Sequence, residues 1–161
     1  MQNVPAADLD HLDRAILSKL QEDSRTIAES IGAEIGLSAA AVQRRIKRLR
    51  ETGVIAREVA VLEPKALGVD MTFVVSVEME RERIEVLDAF RKQVLSDPAV
   101  QQCYYVTGSA DFVLVVCCRD MTEFEEFTRR TFFDNGEVRH FTTSVVMDRV
   151  KVGLGVPLNG G

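Results

Sequence analysis

A single change of hydrophobic period constrains this chain more than any other feature. Up to about residue 52, apolar side chains recur at helical spacing; beyond Glu63-Pro64-Lys65-Ala66-Leu67-Gly68, Val- and Phe-rich runs of strand length alternate with helical ones. A chain of 161 residues with two such patterns is expected to fold as two small units. The expected divisions are residues 1–62, a linker 63–70, a second unit 71–152 and a tail 153–161, whose four glycines and one proline should leave it loose.

In the first unit, Leu12, Ile16, Leu17 and Leu20 make one face of a helix from Asp10 to Leu20. Thr26 is placed to cap a second helix, with Glu29 completing a capping box and Ile27, Ile31 and Ile35 as its stripe. Gly32 weakens that helix by roughly 1 kcal/mol relative to Ala, which a close approach by a neighbouring helix would justify. Gly36-Leu37-Ser38 predicts a tight turn: Gly36 left-handed, Leu37 a buried plug, Ser38 the cap of a third helix. That helix runs from Ala39 to about Thr52 and stops at Gly53, with Val42, Ile46 and Leu49 on its stripe. Val54-Ile55 and Val59 to Leu62 are expected to be extended and to complete a winged helix-turn-helix.

The second unit opens with a strand from Met71 to Met79, followed by a helix from Glu82 to Leu95 carrying Ile84, Leu87, Phe90 and Val94, ended by Asp97-Pro98. Two β-rich runs, Val100 to Thr107 and Asp111 to Arg119, flank Gly108-Ser109-Ala110 as a hairpin. Thr122, with Glu125 at the box position, is expected to cap a helix whose apolar side holds Phe124, Phe127 and Phe132. After the Asn135-Gly136 turn comes a last strand, Val138 to Val152. The order βαββαβ predicts an α+β, ferredoxin-like unit. Its Thr72 to Val77 strand should be covered by helices on one face and by a second subunit on the other.

The formal net charge of -5 argues against a nucleic-acid partner until it is divided. Residues 1 to 62 hold nine Lys/Arg against nine Asp/Glu, whereas residues 63 to 161 hold eleven against sixteen. All the excess acid lies in the second unit. The third helix carries Arg44, Arg45, Lys47, Arg48 and Arg50 with no acid between Ala39 and Arg50. At 100° per residue its apolar stripe lies opposite Arg44, flanked by Ala40, Lys47 and Arg48. A small start, Ser38-Ala39-Ala40-Ala41, lets the first turn approach base edges in a major groove. Gln43 and Arg44 suit base contact, the amide for adenine and the guanidinium for guanine; Lys47 and Arg48 suit phosphate. Double-stranded operator DNA is therefore the expected partner.

The same stretches resemble the Lrp/AsnC family, the feast/famine regulators, over nearly the whole chain. The resemblance rests on Leu9-Asp10, Leu12-Asp13-Arg14, Ile16-Leu17, Ile35-Gly36-Leu37-Ser38, Arg44 to Leu49 and Gly53-Val54-Ile55. It continues through Val106-Thr107-Gly108, Asp111-Phe112, Asp120-Met121 and Val145-Val146-Met147. It implies a ligand-responsive second domain of the RAM type, homodimers paired through their sheets, often a ring of four dimers, and an amino-acid effector held between subunits around the hairpin loop. Carried over, that loop is Thr107, Gly108, Ser109, Ala110 and Asp111, where N–H groups at a glycine turn could receive a carboxylate and Asp111 an ammonium. Met121, Thr143 and Ser144 match other positions associated with effector response. The sequence departs from the family pattern at Ser109, where an acid is frequent, and at Phe141, often a threonine.

Two other readings compete: an architectural DNA-binding protein whose second domain only oligomerises, and a redox sensor using Cys103, Cys117 and Cys118. These three cysteines lack Cys-x-x-Cys spacing and sit in core-like strands, so with His140 they suggest no metal site. His11 falls on the polar side of the first helix. No nucleophile motif or phosphate-cradling loop points to an enzyme, and no cofactor is expected. No apolar run is long enough for a membrane span, and Met1 to Asp13 lacks the basic, then apolar, character of an export signal. The chain is expected to stay in the cytoplasm.

Overall fold

The computed structural model describes residues 8–81 and 83–158. Glu82, where the fourth helix was expected to begin, lies outside the described residues, as do positions 1–7 of the N-terminal stretch and 159–161 of the tail. The chain divides into two compact units: one made of the chain up to Val61 together with the stretch from Val152 on, the other running from Leu62 to Lys151.

The first unit is built on α1 (His11–Glu22), α2 (Ala28–Ile35) and α3 (Ala39–Glu51). Asp10 starts α1: its side chain accepts the N–H of Asp13, whose carboxylate accepts that of Asp10, a reciprocal capping box. Ile16, Leu17, Ala28, Ile31, Val42, Ile46 and Leu49 form the core. The expected cap of α2 is not made. Thr26 instead donates its hydroxyl to the Asp23 carbonyl at 2.8 Å in a turn that also binds the Arg25 N–H to Asp23 Oδ1, and Ile27, 63% exposed, takes the cap position. Gly36 is left-handed at φ 73° and Ser38 caps α3, as the turn predicts.

Gly32 is indeed closely approached, though by the turn rather than a helix: a methyl there would lie 2.4 Å from the Leu37 carbonyl oxygen. The expected ribbon after α3 does not form. Ile55 folds back, its N–H bonded to the Leu49 carbonyl, and residues 56–62 are exposed without a strand partner among the described residues. Ala56-Arg57-Glu58 offers no residue suited to a hairpin turn.

Val156 and Leu158 of the expected tail are held. Gln21 donates to the Val156 carbonyl at 3.1 Å and accepts the Val156 N–H at 2.7 Å, so its amide acts as a strand partner, and Leu158 packs against the helical core.

The second unit is a four-stranded antiparallel sheet in the order β2-β3-β1-β4, from β1 (Met71–Met79), β2 (Val100–Tyr105), β3 (Phe112–Cys118) and β4 (Val138–Val145). Strict alternation buries Phe73, Val75, Val77 and Met79 of β1 and Phe112, Leu114, Val116 and Cys118 of β3. Above them lie α4 (Ile84–Ser96) and α5 (Met121–Thr128), through Leu87, Phe90, Val94, Phe124 and Phe127. Phe73 and Phe124 stack with centroids 3.6 Å apart. A π-helical turn, Arg129–Phe133, extends α5 and buries Phe132.

Three local expectations differ. Ile84 is 72% exposed, so the α4 stripe begins at Leu87. Asp120, not Thr122, caps α5, accepting the Glu123 N–H at 2.9 Å; β3 ends at Cys118, so Asp120 comes first, and its charge suits a helix start better than a hydroxyl does. β4 stops at Val145 rather than Val152, because its partner β1 has run out: the Val146 N–H bonds to Thr72, one residue from the start of β1.

Candidate functional site

Ser38 Oγ accepts the Ala41 N–H at 3.2 Å, and the first turn of α3 then carries only Ala39, Ala40 and Ala41. With Val42, Ile46 and Leu49 buried, the outer ridge is Ala40, Gln43, Arg44 and Lys47, all exposed. Neither Gln43 nor Arg44 has a side-chain partner among the described residues. Lys47 approaches Glu51 at 3.7 Å, but both are well exposed and such a pair holds a cation weakly. The expected base-edge pair and one expected phosphate ligand thus share one accessible face.

Arg48 does not join them freely. It was expected to grip phosphate alongside Lys47, yet its guanidinium is bonded to Asp13, a carboxylate only 1% exposed. Arg45 Nη1 bonds the same carboxylate at 2.7 Å and Asp10 at 2.8 Å. Two cations of α3 therefore serve as internal counter-ions for the start of α1. The N–H of Asp13 and then the Arg45 guanidinium hold the Asp10 carboxyl below its usual range, while hydrogen bonds to Asp13 and then Asp10 raise Arg45 further above its own. This cluster escaped the sequence reading. Its signals were the Asp10-x-x-Asp13 box spacing and the Arg45-x-x-Arg48 spacing, which sets two guanidiniums along one side of the buried stripe.

The hairpin loop is formed as expected. Gly108 has φ 126°, Thr107, Gly108 and Ser109 are exposed, and the Val106 N–H bonds to the Asp111 carbonyl at 2.9 Å. Asp111 is not a free carboxylate: Oδ2 accepts the Met79 N–H at 2.7 Å, pinning the loop to the end of β1. Its other oxygen has no partner among the described residues. The remaining candidates do not gather around this loop. Phe112 faces Val77 whereas Cys118 faces Met71, so Met121, just beyond Cys118, lies six strand positions or about 20 Å from the loop. Thr143 pairs with Val75 and lies on the helix-covered face, half-buried; its neighbour Ser144 pairs with Val74 and points to the open face. One subunit cannot line a single small-molecule site with all eight residues.

The open face of the sheet carries Val74, Val113, Val115 and Cys117, all half-buried, with Ser144 and Thr142 along β4. Cys118 is buried, and desolvation, then the nearby Glu123 and Cys117, push its thiol up to about 11. Burial likewise raises Cys103. Thiols held protonated are poor nucleophiles, and the register separates Cys103, opposite Leu114, from Cys118 on the same face. Among the described residues no three His, Cys, Asp or Glu side chains converge as a metal site, and no helix is long and apolar enough to cross a membrane.

Two family models match, the AsnC-type helix-turn-helix domain over residues 9–50 and the Lrp/AsnC ligand binding domain over residues 72–156. The HTH-type transcriptional regulator y4tD of Sinorhizobium fredii is 46% identical over 153 residues, covering 95% of this chain and 90% of its own. A crystal structure of an AsnC family transcriptional regulator from Agrobacterium tumefaciens superposes with a TM-score of 0.87 at 33% identity, covering 94% of this chain and 98% of that one. A transcriptional regulator from Neisseria meningitidis, solved as a complex with L-Met, gives the same TM-score at 28% identity over 94% of this chain and 97% of that one. Helix-turn-helix, four-stranded sheet and both family domains coincide along one chain, which belongs to the Lrp/AsnC family of DNA-binding transcriptional regulators.

Proposed function

We propose that the chain acts as a cytoplasmic homo-oligomer, a dimer or a ring of four dimers, that reads double-stranded operator DNA with Gln43 and Arg44 and grips phosphate with Lys47. One observation carries this reading: Ala40, Gln43, Arg44 and Lys47 form an accessible ridge directly opposite a buried stripe, on a helix whose capped first turn is all alanine. Replacing Arg44 by Ala removes a potential bidentate contact without touching the core and is expected to weaken specific binding by roughly 1 to 3 kcal/mol. A mobility-shift titration at fixed salt measures it; equal affinity of Arg44→Ala and the parent refutes the assignment.

The effector is proposed to be an amino acid, and the relative holding L-Met makes methionine the first to test. Loop residues Thr107 to Asp111 and Met121 lie at opposite ends of one sheet, which supports a site completed by a second subunit across the open sheet faces. Thermal-shift screening of the twenty amino acids should give a stabilising hit that Gly108→Val, strained at φ 126°, abolishes. Absence of any hit favours a purely oligomerising domain.

A further inference from the structure

Among the basic residues on α3, Arg48 stands out because it has two claimants. It sits beside the exposed ridge, at 100° per residue only 40° around the helix from Arg44, where a phosphate would lie within reach. Yet its guanidinium is committed to Asp13, whose carboxylate is almost wholly buried and has both oxygens in use: Oδ1 receives Arg45, while Oδ2 receives Arg48 and the Asp10 N–H. A buried carboxylate that loses a cation is costly, because its charge is then uncompensated in a poorly solvated place. A phosphate at the surface offers Arg48 only a screened partner in exchange.

We propose that Asp13, at a distance from the DNA, limits the sequence-independent part of the affinity: it withholds Arg48 from phosphate. This inference rests on the DNA-binding reading above. Phosphate contacts add affinity to every sequence alike, whereas base contacts discriminate. A recognition helix with Arg44, Arg45, Lys47 and Arg48 all free would bind any duplex well. By committing Arg48, and with it Arg45, to the start of α1, the protein keeps its outer face basic enough to approach DNA and leaves discrimination to Gln43 and Arg44. The same bonds fix α3 against α1, so Asp13 is also a positioning residue for the ridge.

Asp13→Asn preserves the shape and tests the claim. Its amide keeps one oxygen for Arg45 but turns an NH2 toward the Arg48 guanidinium, donor against donor, and releases it. The measurement is binding to a short random-sequence duplex between about 50 and 200 mM salt, where each phosphate neutralised contributes about -0.9 to the slope of log K against log salt. Asp13→Asn is expected to steepen the slope by about 0.9 and to tighten binding to operator and random duplexes by the same factor. Arg48→Gln alone should leave the slope at the parent value, and Asp13→Asn combined with Arg48→Gln should return it there. That double variant separates released Arg48 from the mere loss of a negative charge. A slope shallower by about 0.9 in Arg48→Gln overturns the proposal, since Arg48 would then already touch phosphate; so does a folded Asp13→Asn protein with the parent slope. If Asp13→Asn does not fold, the Arg48→Gln slope decides alone. Failure of the parent to bind any duplex would count against DNA recognition itself, a distinct outcome.

Discussion

Gly32→Ala should destabilise the helix-turn-helix, although in an isolated helix the same change would help. Alanine gains roughly 0.8 to 1.0 kcal/mol over glycine in a helix interior. At Gly32 the added methyl would lie 2.4 Å from the Leu37 carbonyl oxygen, at least 0.6 Å inside the 3.0 Å that real contacts respect. That oxygen cannot swing aside. The Leu37 N–H is bonded to the Gly32 carbonyl at 3.0 Å, and the next residue, Ser38, caps α3. Relief must move the turn and the first residues of the recognition helix together. Overpacking of this kind costs about 1 to 3 kcal/mol, and a backbone obstacle held from both sides belongs at the upper end, leaving a net loss of about 2 kcal/mol after the propensity gain. Exchange of the buried Ile46 and Leu49 amides with solvent should then accelerate by about 30-fold. Ala33→Gly, on the exposed side of α2, should cost about 1 kcal/mol through propensity alone. Slower exchange in Gly32→Ala would show that the turn yields freely and that glycine is not required by contact.

Asp111→Ala leaves the Met79 N–H without its acceptor and should cost the second unit about 1 to 3 kcal/mol; with no tryptophan and both tyrosines on β2, tyrosine emission during urea unfolding reports on that unit, and an unchanged midpoint counts against the bond. Because folding raises the Cys118 thiol from 9.0 to about 11, the folded form holds its proton longer, so stability should be whole below pH 9 and decline as pH rises toward 11, a decline that Cys118→Ala should reduce. Gln21→Ala removes both bonds to Val156 and should speed exchange of the Val156 amide by about tenfold, for a loss near 1.4 kcal/mol; an unchanged rate means the tail is held by Leu158 alone.

Much of the architecture was visible in the sequence because it depends on period: the stripe of α3, the alternation of β1 and β3 and the αL turn at Gly36 are local consequences of residue order. Caps were less legible. Thr26 competes with Asp23, and Thr122 with Asp120, and the winner depends on where the preceding turn or strand ends. The ion cluster was hidden for another reason: a helix wheel shows which charges leave the core, but only the packing of α1 on α3 shows that Arg45 and Arg48 meet Asp10 and Asp13. The Gln43, Arg44 and Lys47 face needed no such knowledge, since anything opposite a buried stripe is exposed. The effector residues are scattered because strand neighbours such as Thr143 and Ser144 take opposite faces and a sheet has two ends.

The docked tail has a consequence for synthesis. Leu158 packs against a core whose buried members, from Ile16 to Leu49, leave the ribosome about a hundred residues earlier. The first unit to emerge therefore waits, its core open beside α1, while the whole βαββαβ unit is translated. At about 5 to 20 residues per second, that interval lasts several seconds, longer than most small domains need to fold. The helix-turn-helix should thus gain its final stability only when translation of the other unit is over, and a truncated chain would carry a recognition helix on an unfinished domain.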